Sequence, residues 1–159
     1  MQKDIPFKND VEKAVREYAD MLFRICLVIL KNEADAQDAV QEAFLKYIQK
    51  APRFENVQHE KAWLIRVATN CSRNMLKKKR RFLDIGTQTV AADSFSDETV
   101  FVLEALVSIP EKYSVVIILH YIDGYKVDEI AAMIGKTPSA VKMRLQKGRR
   151  LLEKAYGEE

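Results

Sequence analysis

Apolar residues along this chain recur at alternating four- and three-residue steps, the spacing that keeps them on one side of an α-helix, and little interrupts the pattern. Val11, Val15, Tyr18, Leu22, Ile25 and Ile29 form one such stripe, and Val141, Leu145, Gly148 and Leu152 form another. Only five glycines and four prolines punctuate 159 residues, and alternating strand-like runs are nearly absent, so the chain is constrained to an all-α fold. The run VVIILHY within Tyr113–Tyr121 is rich in β-branched residues. Pro110 and Glu111 open it in helix-start fashion, however, and Gly124 closes it, so it reads as a buried helix.

Between Asp84 and Glu98 the stretch IGTQTVAADSFSD loses this periodicity and gathers small polar residues, as expected of a flexible linker over 84–98. It divides the chain into a first lobe, 9–83, with three long helices, and a second, 99–156, with four shorter ones. Helix two follows from Asn32 and turns Ala36, Val40, Ala43, Phe44 and Tyr47 inward. Helix three is expected from Lys61, after a loop Pro52–Glu60, and runs into the cluster Lys77–Arg81. Its inward side carries Trp63, Leu64, Val67, Ala68, Cys71 and Met75. Cys26 and Cys71 both lie inside apolar helical patterns, so they read as small core hydrophobes suited to a reducing cytosol. The N-terminal residues do not form a signal-peptide pattern and Ile25–Leu30 is too short to span a bilayer, so a soluble cytoplasmic protein is expected.

The formal net charge of +3 conceals a strong segregation. Lys61–Arg81 carries eight cations and no acid, whereas Glu33–Glu42 carries four acids and no cation. On helix two, Asp35, Asp38 and Glu42 stack on the outward side with Gln41 beside them. Acids near a helix N-terminus compensate the macrodipole, but Glu42 lies more than two turns in, where that effect has faded. An acidic face on a chain otherwise adapted to anions calls for a basic protein surface. On helix three, Arg66, Thr69, Asn70, Arg73, Lys77 and Arg80 share the outward side and form one candidate nucleic-acid face. Phe54, Asn56 and His59 in the loop before it could hold unstacked bases. The plain alternative is an interhelical loop with Phe54 tucked into the core.

A second nucleic-acid face is written in Asp128–Arg150, DEIAAMIGKTPSAVKMRLQKGRR. Ile130, Ala131 and Ile134 give a short helix an apolar side, and Gly135 supplies a positive-φ stop. Thr137 then caps a second helix, with Pro138 at its first position, where the missing N–H is harmless. This is the architecture of a helix-turn-helix. Ser139, Met143, Gln146, Lys147 and Arg150 lie opposite the core stripe, flanked by Lys142, Arg144 and Arg149, so cations border a face whose middle can reach base edges. Enzyme chemistry finds no support. His59 and His120 are the only histidines, neither pairs with a Cys or carboxylate at ligand spacing, and no glycine-rich phosphate loop occurs. No catalytic residue, metal site or cofactor is expected.

With these pieces in order, the chain resembles the extracytoplasmic-function sigma factors, the small initiation subunits of bacterial RNA polymerase. DAQDAVQEAFLKYIQ at Asp35–Gln49 is similar to the family's polymerase-docking helix, and AWLIRVATNCSRN at Ala62–Asn74 to its promoter-melting helix. The stretch from Ile109 to Leu152 is similar to its DNA-reading domain. The resemblance implies that Asp35, Asp38, Gln41 and Glu42 meet a basic coiled coil on the largest polymerase subunit. It implies that the loop receives a flipped base of the minus-ten element while Arg66, Asn70 and Arg73 line the strand path, with Phe54, Asn56, His59, Lys61, Trp63 and Lys77 beside them. It places Ser139, Lys142, Met143, Arg144, Gln146, Lys147, Arg149 and Arg150 at the minus-thirty-five element. It further implies contact with the flap region of core polymerase, a monomer when free, a membrane-bound anti-sigma factor as a partner, and a role in a stress or envelope response. Asn74 stands where the family usually has aspartate, Gln37 where glutamate is common, and Pro138-Ser139-Ala140 where a glycine-threonine entry is frequent. Base choice rests on a few such side chains. The rival reading is a free-standing helix-turn-helix regulator, which would leave the acidic stripe and the second basic helix without a use.

Overall fold

Several helices begin or end where a side chain or a backbone angle satisfies the orphaned groups of a helix terminus. A computed structural model of the protein describes residues 9–82 and 97–157, with side chains over 9–81 and 102–156. Helix α1 spans Val11–Leu30; the Asp10 carboxylate accepts from the Lys13 N–H, and Lys31 ends the helix at φ 58°. Helix α2, Glu33–Lys50, is capped by the Asn32 side chain, which accepts from the Asp35 N–H at 2.9 Å. Helix α3 runs from Val57 to Phe82 and starts four residues before the sequence suggests. The reason is Asn56, whose side-chain oxygen accepts from the His59 N–H at 2.8 Å and caps the helix there.

The second lobe holds α4, Asp97–Val107, and α5, Glu111–Ile117, which continues as a π-helical turn over Ile118–Ile122. Helix α6, Val127–Ile134, and helix α7, Pro138–Gly157, follow. Four helices are thus present where four were expected, and no strand occurs among the described residues. The linker expected over 84–98 lies outside the described residues except for Asp97 and Glu98, which already belong to α4.

The first lobe is tied together by one buried carboxylate. Glu60, 7% exposed on the first turn of α3, accepts from the Tyr47 hydroxyl of α2 at 2.7 Å and, more distantly, from the Tyr18 hydroxyl of α1 at 3.5 Å. Burial, followed by the carboxylate, pushes both phenols above their ordinary range. Cys26 is fully buried, with its thiol near the Ala68 carbonyl, and burial pushes it up to about 12; Cys71 is shifted the same way. Both therefore serve as packing groups.

The C-terminal part of α1 departs from the expected single stripe. Ile25, Cys26, Leu27, Val28, Ile29 and Leu30 are all buried, because α2 and α3 cover one side of the helix while α4 and α5 cover the other. The two lobes are packed on each other, and the boundary between them is a second apolar interface. Val15, placed by its spacing in the core stripe, is instead 38% exposed. In the second lobe, Ser114 donates to the Leu106 carbonyl at 2.6 Å and fixes α5 to α4. Gly148 lets α7 approach α5, since a Cβ there would sit 2.6 Å from Ile117 Cδ1 and 3.3 Å from Tyr113 Cβ.

Two substitutions test this packing. Tyr47→Phe should cost about 1–3 kcal/mol in urea unfolding with an unchanged m-value, because it strips a buried carboxylate of its shortest hydrogen bond. Gly148→Ala should lower stability although alanine favours helix, since overpacking at about 1–3 kcal/mol exceeds the roughly 0.5–1 kcal/mol propensity gain. A rise in melting temperature would show that the α5–α7 contact is loose.

Candidate protein and nucleic-acid interfaces

On α2, Asp38, Gln41 and Glu42 are exposed, as the stripe requires. Asp35 is not equivalent to them. Its carboxylate is bonded to Lys79 Nζ of α3 at 2.5 Å and its side chain is 24% exposed, so it is occupied by an internal ion pair. Beside the acidic ridge lies a groove of about 680 Å³ between α1 and α2, lined by Val11, Val15, Val40, Phe44, Leu45 and Ile48. Leu45 and Ile48 are 50% and 64% exposed. Sequence reasoning overlooked this groove. Its signal was available in Gln41, Leu45 and Ile48, whose four- and three-residue spacing puts two apolar residues beside the outward acids.

The turn before α3 corrects two expectations. Phe54 is 2% exposed, and its ring lies 5.8 Å from Tyr47, 5.7 Å from Trp63 and 5.2 Å from His59, centroid to centroid. It anchors the turn in the core instead of offering a stacking surface. Lys61 is 8% exposed, with its ammonium 4.3 Å from the centre of the Tyr125 ring of the second lobe, so it also faces inward. Asn56 is exposed but serves as the helix cap, and the half-buried His59 accepts at Nδ1 from the Glu55 N–H at 3.1 Å. Trp63 is half-buried.

Farther along α3, Arg66, Asn70, Arg73 and Lys77 are exposed at four-, three- and four-residue steps and form one continuous stripe. The stripe does not look only into open solvent. Arg66, Asn70 and Arg73 line a cavity of about 300 Å³ whose other walls include Glu111 and Lys112 of α5, Lys136, and Arg144 of α7. Arg73 donates to both Glu111 carboxylate oxygens, at 3.3 and 3.2 Å.

The helix-turn-helix forms as its punctuation implies. Gly135 ends α6 at φ 72°, and Thr137 Oγ1 accepts from the Ala140 N–H at 3.1 Å to start α7 behind Pro138. At the other end of α6 the Glu129 carboxylate reaches back to the Lys126 N–H at 2.8 Å. Val141, Leu145 and Gly148 are buried. Ser139, Lys142, Met143, Gln146, Lys147 and Arg150 are exposed, Met143 to 69%. Arg149 is also exposed and donates to the Tyr121 hydroxyl at 2.8 Å. Arg144 is half-buried and lines the interlobe cavity, apart from the others.

Among the described residues, no group of three or more His, Cys, Asp or Glu side chains is placed to hold a metal ion, and no helix is long and apolar enough to cross a membrane. The geometry offers three contact surfaces: an acidic ridge beside an apolar groove, a basic stripe on α3 and a basic face on α7.

Comparison with known proteins gives these surfaces a context. The family model described as Sigma-70 region 2 matches residues 14–82, and that described as Sigma-70, region 4 matches residues 102–152. The ECF RNA polymerase sigma factor SigW of Bacillus subtilis is 31% identical over 156 aligned residues, covering 86% of this chain and 83% of that protein. The RNA polymerase sigma factor SigV of the same organism is 25% identical, covering 96% and 94%. Among solved structures, the sigma factor RpoE in complex with the anti-sigma factor NepR from Bartonella quintana has the same fold. Its TM-score is 0.71 at 22% identity, over 92% of this chain and 96% of that one. CnrH in complex with the cytosolic domain of CnrY matches with a TM-score of 0.70 at 24% identity, over 94% and 88%.

Proposed function

The chain belongs to the extracytoplasmic-function sigma factors, alternative initiation subunits that direct RNA polymerase to promoters, and we propose that it divides this work among its three surfaces by charge. Asp38, Gln41 and Glu42 grip a basic coiled coil on the largest polymerase subunit, and the adjoining groove takes that partner's apolar residues. Support for this comes from the pairing of exposed acids with an apolar floor, which suits an amphipathic helix bearing cations along its edge. Asp35 contributes through its ion pair to α3 and makes no direct contact.

Arg66, Asn70, Arg73 and Lys77 hold the strand of the minus-ten element, with Asn56, His59 and Trp63 at the end of the stripe where a flipped base would enter. Phe54 and Lys61 support that surface from beneath. On α7, Ser139, Lys142, Met143, Gln146 and Lys147 enter the major groove at the minus-thirty-five element, and Arg149 and Arg150 neutralise phosphates. The exposed Met143 offers an apolar contact of the kind that a thymine methyl accepts. Tethering lets each contact be weak while the assembled holoenzyme is selective. As a further partner we propose an anti-sigma factor, membrane-bound as many in the family are. Two matching solved relatives were captured in complexes, RpoE with the anti-sigma factor NepR and CnrH with the cytosolic domain of CnrY. The two buried, unpaired thiols accord with a cytoplasmic location.

The observation that carries this reading is the exposed acidic ridge, which a DNA-binding protein acting alone would not need. Glu42→Lys should weaken binding to core polymerase roughly ten-fold, or about 1.4 kcal/mol, with an unchanged circular dichroism spectrum. Wild-type affinity would refute the docking assignment. Lys147→Ala should spare polymerase binding, lower transcription from the cognate promoter several-fold and reduce the salt dependence of DNA binding by about one phosphate contact. Tight, specific promoter binding by the chain alone as a dimer would favour a free-standing regulator.

A further inference from the structure

Five cations from four segments of the chain meet around one carboxylate. Arg66 and Arg73 of α3, Lys112 of α5, Lys136 of the turn after α6 and Arg144 of α7 line the cavity of about 300 Å³, together with Glu111. Glu111 already accepts from Arg73, at 3.3 and 3.2 Å, so little of its charge is left for the other four cations. Like charges around a shared hollow repel one another, and they are screened less there than on an open surface. The promoter contacts proposed above use neither lysine and leave Arg144 without a task, since it is half-buried and stands apart from the DNA-reading face of α7.

The rest of the lining has a different character. Ile65, Val115 and Met133 are only 2%, 7% and 2% exposed, and the half-buried Ile134 joins them. Thr69 and Asn70 add a hydroxyl and a carboxamide. Apolar walls with a few convergent polar groups are the usual make-up of a small-molecule site, and the volume lies at the lower end of the range for such sites, about 300–1,000 Å³. The cations call for a ligand with several negative charges at one end. Arginine forks match phosphate oxygens in bidentate fashion, and lysines add point charges. The apolar residues call for a flat ring at the other end, against which the pliant Met133 can pack.

We propose that this cavity binds a nucleoside diphosphate. The diphosphate lies among the arginines and lysines, relieving their mutual repulsion, and outweighs the single opposing charge of the paired Glu111. The base rests on Ile65, Val115 and Met133, with Thr69 and Asn70 available to its polar edge. Three of the five cations belong to the second lobe and none of those three serves the proposed promoter contacts, so the site stands independently of the reading of α3 as a strand-binding helix.

Isothermal titration calorimetry of the full chain with ADP, pyrophosphate and adenosine tests the site, in about 0.15 M salt so that scattered surface charges are screened. ADP should bind one to one. Pyrophosphate and adenosine, each carrying one half of the ligand, should bind at least roughly ten-fold more weakly. Lys112→Ala/Lys136→Ala and Arg144→Gln should each weaken ADP binding roughly ten-fold, with circular dichroism spectra like the wild type. The control Lys50→Ala/Lys154→Ala removes the same charge as the lysine pair from exposed positions outside the cavity and should leave ADP affinity unchanged. No ADP binding by the wild type, or equal weakening in the control, would overturn the site. Pyrophosphate binding as tight as that of ADP would overturn the assignment of a nucleoside.

Discussion

The hydrogen bonds from Tyr47 and Tyr18 to the buried carboxylate of Glu60 join three helices at one point, and the orientation of α3 depends on them. A buried carboxylate without such donors would cost several kcal/mol, so the phenols and the acid are required together. Because the contact lies on the first turn of α3, it sets the direction in which the later turns present Arg66, Asn70 and Arg73. Phe54, packed among Tyr47, Trp63 and His59, fixes the turn that precedes it. The first lobe thus uses its aromatic residues and one acid to aim a row of cations.

Helix α2 is shared between two tasks in a similar way. Its inner side, Ala36, Ala39, Ala43 and Tyr47, is buried against its neighbours, and small residues there allow close approach. Its outer side carries the acids, with Leu45 and Ile48 left uncovered beside them. Exposed apolar side chains next to a groove weaken solubility unless a partner covers them, which fits a subunit that works bound to a larger machine. On the proposed docking, the acids supply orientation and rate of encounter, and the groove supplies affinity.

Local punctuation made much of this fold readable in the sequence. Asn32, Gly135, Thr137 with Pro138, and Gly124 each end or start an element where their side chains or backbone freedom imply. The helical stripes sorted most inward residues from outward ones. Readings failed where a distant element decided the outcome. Asn56 differs from these: its cap on the His59 N–H, three residues on, is a local signal for an earlier start of α3. Lys61 follows the polar residues Gln58, His59 and Glu60 and looks solvent-facing, yet a tyrosine from the other lobe covers it. Asp35 belongs to an acidic stripe by spacing, but a lysine on α3 occupies it. Continuous burial from Ile25 to Leu30 was visible only as an unusually apolar stretch, since one lobe's periodicity cannot reveal that a second lobe will pack against its back.

On the proposed division of labour, the chain meets polymerase through its negative ridge and DNA through its two positive faces. Site-specific photocrosslinking tests it most directly, with a photoreactive amino acid at position 42 and, in a second protein, at position 146, each assembled with core polymerase and promoter DNA. Position 42 should crosslink to a basic helical segment of the largest polymerase subunit and position 146 to the upstream promoter element. Crosslinking of position 42 to DNA, or of position 146 to the polymerase alone, would contradict it.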